Sequence, residues 1–298
     1  MVRAPIRRKT NRAQIVDSLL AQKLNYDRPV KLAEDIYWVG FVDETRGLCC
    51  NPYLIVDGDE GVLIDGGSRP EFSIVAMKIL QTALLPNQIS TLIYQHYDPD
   101  LCGSVANLES LIDRPDLRVV SKRENNVFIR YYGPRSKLLC IDQMDRRLVL
   151  KSGRTLRFIP TPYAHAPGAF MTLDEKSGIL FTSDLFGGFD ADKERRLFRE
   201  LPAQCLACTT SPLPSPHQPC DTTGGLCGLS AVMEFHRVEM SSNRALRHAC
   251  KKILTSGARM VAPQHGSIWP RKKDIEHIAA RLMTLQYAGI DGVVDAEC

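Results

Sequence analysis

The chain has 298 residues, enough for one or two domains with a substantial buried core. Its 44% hydrophobic and 24% charged residues, with a net charge of only +4, describe an ordinary globular protein rather than a disordered or strongly polyanion-binding one. No segment approaches a membrane-spanning run. The basic start lacks the apolar stretch of an export signal, so the ten cysteines predict reduced thiols and a cytoplasmic setting.

Residues 1–30 form a basic N-terminal extension in which Arg3, Arg7, Arg8, Lys9 and Arg12 cluster. No aromatic residues interleave with these charges, so the arm reads as a solvated terminus, with no nucleic-acid or membrane partner expected. Residues 31–290 carry the elements of one layered domain.

Apolar spacing predicts a helix over 15–24 and a strand over 36–42. A hairpin follows, with strands 52–56 and 62–65 around the Asp57–Gly61 turn. A helix is expected over 72–85, stopped by Pro86, then a buried strand over 89–94 and a helix over 101–112. Next come a strand at 117–120, a helix at 124–132, and strands at 147–150 and 155–160. A second hairpin over 169–184 again ends in aspartate, an echo that suggests two related halves. Helices at 243–254 and 273–287 flank a short strand at 258–263. Residues 190–230 have no clear periodicity and read as a Cys-rich insertion.

The chemistry gathers at strand ends. Ile93-Tyr94-Gln95-His96-Tyr97-Asp98-Pro99-Asp100-Leu101 packs one imidazole and two carboxylates behind a buried strand. Such donors suit borderline and hard divalent cations. Three later islands add His165, Asp184 and His265. The carboxylates of Asp98, Asp100 and Asp184 bring three negative charges, and ligating histidines are neutral. A single divalent cation leaves carboxylates uncompensated at close range, whereas two cations and a bridging anion balance them. Two adjacent metals bridged by Asp184 therefore fit better than one. Asp65, closing the first hairpin, is expected to orient the His96 loop from behind.

These residues, in this order, resemble the metallo-β-lactamase fold, and the likeness extends over residues 31–290. Leu63-Ile64-Asp65, Ser183-Asp184-Leu185-Phe186-Gly187 and Pro263-Gln264-His265-Gly266-Ser267 strengthen it. A carboxylate at position 98, where hydrolases of the fold usually carry histidine, is similar to the flavodiiron and oxygen-binding di-iron proteins. The resemblance implies an α/β, four-layer αββα sandwich. It also implies one iron on His96, Asp98 and His165, another on Asp100 and His265, and Asp184 between them. An anionic oxygen ligand in place of imidazole favours ferric iron and oxygen chemistry, although zinc also accepts carboxylate.

The family pattern has histidine where this chain has Leu101. His236 or a water is the candidate replacement. In the insertion, Cys205-Leu206-Ala207-Cys208 with Cys220 and Cys227 offers thiolates for a second metal site, zinc or an iron-sulfur cluster. The remaining cysteines, Cys49 and Cys50 included, read as small apolar residues.

The leading expectation is a non-haem di-iron protein that binds dioxygen or another small diatomic. It would sense oxygen, or reduce O2 or NO with electrons from an external redox partner, or act through a signalling protein. No flavin phosphate loop is visible, so no intrinsic FMN is expected, and the family's head-to-tail pairing suggests a homodimer. The alternative is a metal-dependent hydrolase of an ester, thioester, lactone or phosphodiester, with Asp100 as catalytic base. A third reading is a regulatory module with a degraded site.

Overall fold

The computed structural model describes residues 12–21, 23–43, 48–189, 196–209, 220 and 227–297. Helix α1 (Arg12–Ala21) leads to β1 (Val30–Ala33) and β2 (Ile36–Trp38), then to a ribbon of β3 (Phe41–Asp43) and β4 (Leu48–Cys50). The expected strand over 36–42 is thus two strands. At Gly40, between the two, the backbone runs so close to β4 that a Cβ would lie 2.1 Å from the Cys50 carbonyl.

The first hairpin forms as expected from β5 (Tyr53–Asp57) and β6 (Glu60–Ile64). Its Gly58 sits at φ +66°, a conformation glycine adopts without steric cost. Helix α2 (Phe72–Leu80) stops five residues before the sequence pattern does. There Thr82 Oγ1 takes up the Ile79 carbonyl at 2.7 Å and receives the Leu84 N–H, diverting the backbone from helix.

Strand β7 (Ile89–Ile93) is buried throughout. The single helix expected behind it is split into α3 (Pro99–Cys102) and α4 (Val105–Ile112). Ser104 between them donates its hydroxyl to the Gly66 carbonyl at 2.8 Å, pinning the loop after β6. Next come β8 (Arg118–Ser121), α5 (Arg123–Ile129) and the unforeseen edge strand β9 (Lys137–Cys140).

The second half holds β10 (Arg147–Val149), β11 (Thr155–Pro160), β12 (Phe170–Asp174) and β13 (Ile179–Phe181). It continues through α6 (Ala203–Leu206), α7 (Ser230–Glu239), α8 (Asn243–Ser256), β14 (Met260–Ala262), α9 (Lys272–Leu282) and α10 (Ile290–Glu297). Helices α7 and α10 were not legible from periodicity. His236 lies inside α7.

Two sheets result, ordered β1-β2-β5-β6-β7-β8-β9 and β10-β11-β12-β13-β14. The first is parallel from β6 to β9, and in the second β13 and β14 are parallel. A central core joins the sheets face to face: Ile55, Ile64 and Ile93 from one meet Phe158, Phe170 and Phe181 from the other. Tyr53 and Phe181 cross that interface with ring centroids 5.0 Å apart, a contact worth about 0.5–1.5 kcal/mol beyond its buried area. The outer face of the first sheet packs on α2 and α4, and that of the second on α7, α8 and α9. This is the αββα four-layer sandwich.

At the end of the sandwich away from the histidines, buried Arg154 reaches Asp174 of the second sheet at 2.7 Å and Asp35 beside the first at 2.8 Å. No helix among the described residues is long and apolar enough to cross a membrane.

Candidate metal centre

The six donors foreseen in the sequence converge at one edge of the sandwich. Each leaves the sheets just past a strand's C-terminal end, where loops carry side chains without breaking the ladders. His96, Asp98 and Asp100 follow β7. His165 follows β11, Asp184 follows β13 and His265 follows β14.

Asp184 divides the set. Its Oδ2 lies 3.6 Å from His96 Nε2 and 3.7 Å from His165 Nε2, while its Oδ1 faces His265 Nε2 at 3.6 Å. Asp98 Oδ2 joins the first group, 3.6 Å from His96 Nε2 and 2.7 Å from His165 Nε2. Asp100 Oδ2 joins the second, 3.1 Å from His265 Nε2. One carboxylate thus presents an oxygen to each of two donor sets.

The histidine rings are held from behind, so every Nε2 points inward. His165 Nδ1 donates to the Glu239 carbonyl at 2.9 Å, and His265 Nδ1 to the Cys49 carbonyl at 2.8 Å. His96 Nδ1 meets Ser183 Oγ at 2.7 Å. Bonds of this kind fix the ring tautomer and aim the other nitrogen's lone pair at a cation.

Asp65 plays the expected supporting part. Its Oδ1 accepts the Gln95 N–H at 3.1 Å and its Oδ2 the Gln95 side-chain amide at 3.3 Å. In the amide orientation that satisfies both ends, Gln264 also donates to Asp65 Oδ2 at 3.2 Å. The loops carrying His96 and His265 therefore share one buried carboxylate. Burial pushes Asp65 up to about 7, offset in part by the Gln95 bonds.

The electrostatics suit a cation cluster. Burial alone would lower His165, but its hydrogen bond to Asp98 and the charges of Asp184 and Asp98 push it up to about 10. Burial opposes ionisation of Asp98, yet His165 and His96 hold it well below the usual carboxylate range. His265, fully buried, is likewise raised by its bond to Asp100. Where no cation sits, the carboxylates draw protons onto the imidazoles, and the same field would attract metal. Two buried atoms, His96 Nε2 and Asp184 Oδ1, lack any hydrogen-bond partner. Orphaned donor atoms of this kind are costly unless an ion satisfies them.

His236 does not supply the missing ligand. It is fully buried, its Nδ1 donates to the Val232 carbonyl at 2.7 Å, and its Nε2 accepts the Phe186 N–H at 3.0 Å. Both nitrogens are engaged, and burial lowers its pKa to about 4. Leu101 is buried in the outer core and leaves its position donor-free.

Among the described residues, two groups of three or more ligating atoms lie within 4.8 Å of one another: His96, Asp98 and His165, and Cys50, Asp100 and His265. Cys50 was missed because a lone cysteine beside a short strand carries no spacing signal. The insertion thiols Cys205, Cys208, Cys220 and Cys227 belong to neither group. Cys205 and Cys220 are buried, and no disulfide joins described cysteines.

The centre opens into a cavity of about 700 Å³, lined among others by Arg69, Glu71, Tyr131, Tyr132, Phe235 and Glu239. Together the sandwich, the strand-end donors and the aspartate between the two donor sets are those of a metallo-β-lactamase-type protein. Within that class, the chain belongs to the ODP family beta lactamase, whose model matches residues 48–266.

Among relatives, the chain is 25% identical over 256 residues to the coenzyme F420H(2) oxidase of Methanothermobacter marburgensis, covering 80% of this chain and 57% of that protein. It is 31% identical over 142 residues to diflavin flavoprotein A 1 of Synechocystis, covering 48% and 24%. The chain thus spans between a quarter and somewhat over half the length of these relatives. Its fold is similar to the chemotaxis sensor ODP, solved as a peroxy di-iron species, with TM-score 0.68, 24% identity and coverage of 90% and 99%. It is also similar to the rubredoxin oxygen:oxidoreductase of Desulfovibrio gigas, with TM-score 0.67, 18% identity and coverage of 86% and 61%.

Proposed function

We propose that this chain is a non-haem di-iron protein that binds dioxygen, serving oxygen sensing or the reduction of O2 or NO with electrons from an external donor. The observation that carries the reading is Asp184, which turns one oxygen toward each donor set, together with a carboxylate rather than an imidazole at position 98. Family membership and the similarity to a di-iron sensor and an oxygen reductase support it.

His96, Asp98 and His165 would hold one iron, Asp100 and His265 the other, and Asp184 both. Iron held there supplies the redox-active, oxygen-binding chemistry. The protein's own part is to present neutral Nε2 lone pairs, which the bonds at each Nδ1 enforce. Asp98 and Asp100 add anionic charge that favours the ferric state. Glu239 lines the cavity with its carboxylate 3.6 Å from His165 Nδ1, and burial raises its pKa. The reading includes a cytoplasmic protein, a homodimer, and an external redox or signalling partner.

Metal analysis after iron-replete, anaerobic purification tests it, followed by reduction and exposure to air. Two irons per chain and a new near-ultraviolet charge-transfer band on aeration are expected. Iron-free protein holding two zinc ions would reverse the conclusion. The size of the cavity is the observation favouring the second reading, hydrolysis of an ester, thioester, lactone or phosphodiester with Asp100 as base, since 700 Å³ far exceeds the needs of a diatomic. Two zincs with esterase or phosphodiesterase turnover would establish that reading instead.

A further inference from the structure

The two donor sets are unequal. Around Asp184 Oδ2 stand His96, Asp98 and His165, whereas Asp184 Oδ1 is accompanied only by Asp100 and His265. Cys50 stands beside this poorer set. Its Sγ lies 3.9 Å from Asp100 Oδ2 and 4.0 Å from His265 Nδ1. Ligand atoms of Cys50, Asp100 and His265 all fall within 4.8 Å of one another, and Cys50 is only 3% exposed. The neighbouring Cys49 carbonyl holds His265 Nδ1, so the end of β4 both orients the ring and delivers the thiol. Asp184 Oδ1, buried and without a partner, belongs to the same set.

We propose that Cys50 is a thiolate ligand of the second metal, completing the set formed by Asp100, His265 and Asp184; this rests on the two-metal reading above. The sulfur now faces Asp100 Oδ2 and the Nδ1 side of the His265 ring, so ligation requires it to turn toward Asp100 and His265 Nε2. On binding, the S–H bond breaks, a sulfur–metal bond forms, and the proton leaves to solvent, with no change of oxidation state. Loading of this position therefore releases the thiol proton. The result is an asymmetric pair: one metal held by imidazole and carboxylate alone, the other by a softer, anionic sulfur that makes up for one imidazole fewer.

X-ray absorption at the iron edge of the iron-loaded full chain tests this without any variant. The expected spectrum contains a sulfur shell near the ~2.3 Å of metal–thiolate bonds, at one sulfur per two irons. Cys50→Ala should lose that shell and weaken the second iron by about 10- to 100-fold or more, the first iron staying bound. Far-ultraviolet circular dichroism confirms that the variant is folded. Wild-type protein with two irons and only nitrogen and oxygen neighbours would overturn the assignment of Cys50 and leave the two-metal reading standing. So would a Cys50→Ala protein that binds both irons with unchanged affinity. Wild-type protein that holds fewer than two metals would overturn the two-metal reading itself, and this ligand with it.

Discussion

Replacing His236 with leucine separates a structural role from a ligating one. The imidazole is sealed in α7, and its Nε2 satisfies the Phe186 N–H at 3.0 Å. Phe186 lies in the left-handed region at φ +71°, and so does Ser183 at φ +55°, so the turn that aims Asp184 depends on outside support. Leucine fills similar volume but leaves the Phe186 N–H buried and unsatisfied, a cost of about 1–3 kcal/mol. His236→Gln returns an acceptor near the ε position and should recover much of the loss.

A pH series adds a second readout. Burial lowers His236 to about 4 from its ordinary value of 6.5, so between these values the unfolded chain binds more protons than the folded one. The stabilisation is fully present above the unfolded value and is lost as pH falls through the folded one. It amounts to about 3 kcal/mol across that window. Urea unfolding of metal-free protein at pH 7 and pH 5 measures both effects, and the leucine variant should lose the acid-side slope. If it unfolded like wild type at pH 7 yet shed the second metal, His236 would be a ligand and the reasoning above would be wrong.

Asp184→Ala should abolish the aeration band and remove most of the iron, as read by metal analysis; normal iron content would refute the bridging assignment. Lys78, buried over the Trp38 ring, is lowered to about 8 by desolvation. Between about 8 and its ordinary 10.5 the unfolded state binds more protons at this residue, so its contribution to stability should rise with pH there, and the difference between wild type and Lys78→Met in urea unfolding should show that slope. For the insertion, whose four thiols form no close ligand group among the described residues, the Cys205→Ser and Cys208→Ser double variant should keep the metal content of wild type, and loss of one zinc or an iron-sulfur chromophore would establish a site there. Identical metal content in both proteins would dismiss a second site there.

The donors were legible because three of their four segments follow a buried apolar run, where nothing in a sheet explains a histidine or aspartate. Hairpin β5–β6 was legible for a related reason: short runs of apolar, partly β-branched residues on both sides of an Asp-Gly turn leave little else to form. What escaped notice depends on contacts between distant segments. Strand β9 is an edge strand with weak alternation, and α7 mixes charged and apolar residues with no sharp boundary. The early end of α2 follows from one threonine hydroxyl, a competition invisible to periodicity. The part His236 plays stayed open because its two partners, Val232 and Phe186, become evident only once α7 is packed against the turn after β13. Cys50 is the extreme case, since its neighbours Asp100 and His265 lie 50 and 215 residues further along the chain.

The pairing of His96 with His265 around Asp184 has a mechanical side as well. Those segments enclose more than half of the chain, and their donors spring from opposite sheets. Cations gripped there would act as a clasp at one rim, matching the rivet that Arg154 drives through the other. Closing so long a loop chiefly penalises the denatured chain. Iron starvation would then loosen the protein as well as silence it, and resistance to proteolysis would become a gauge of metal supply.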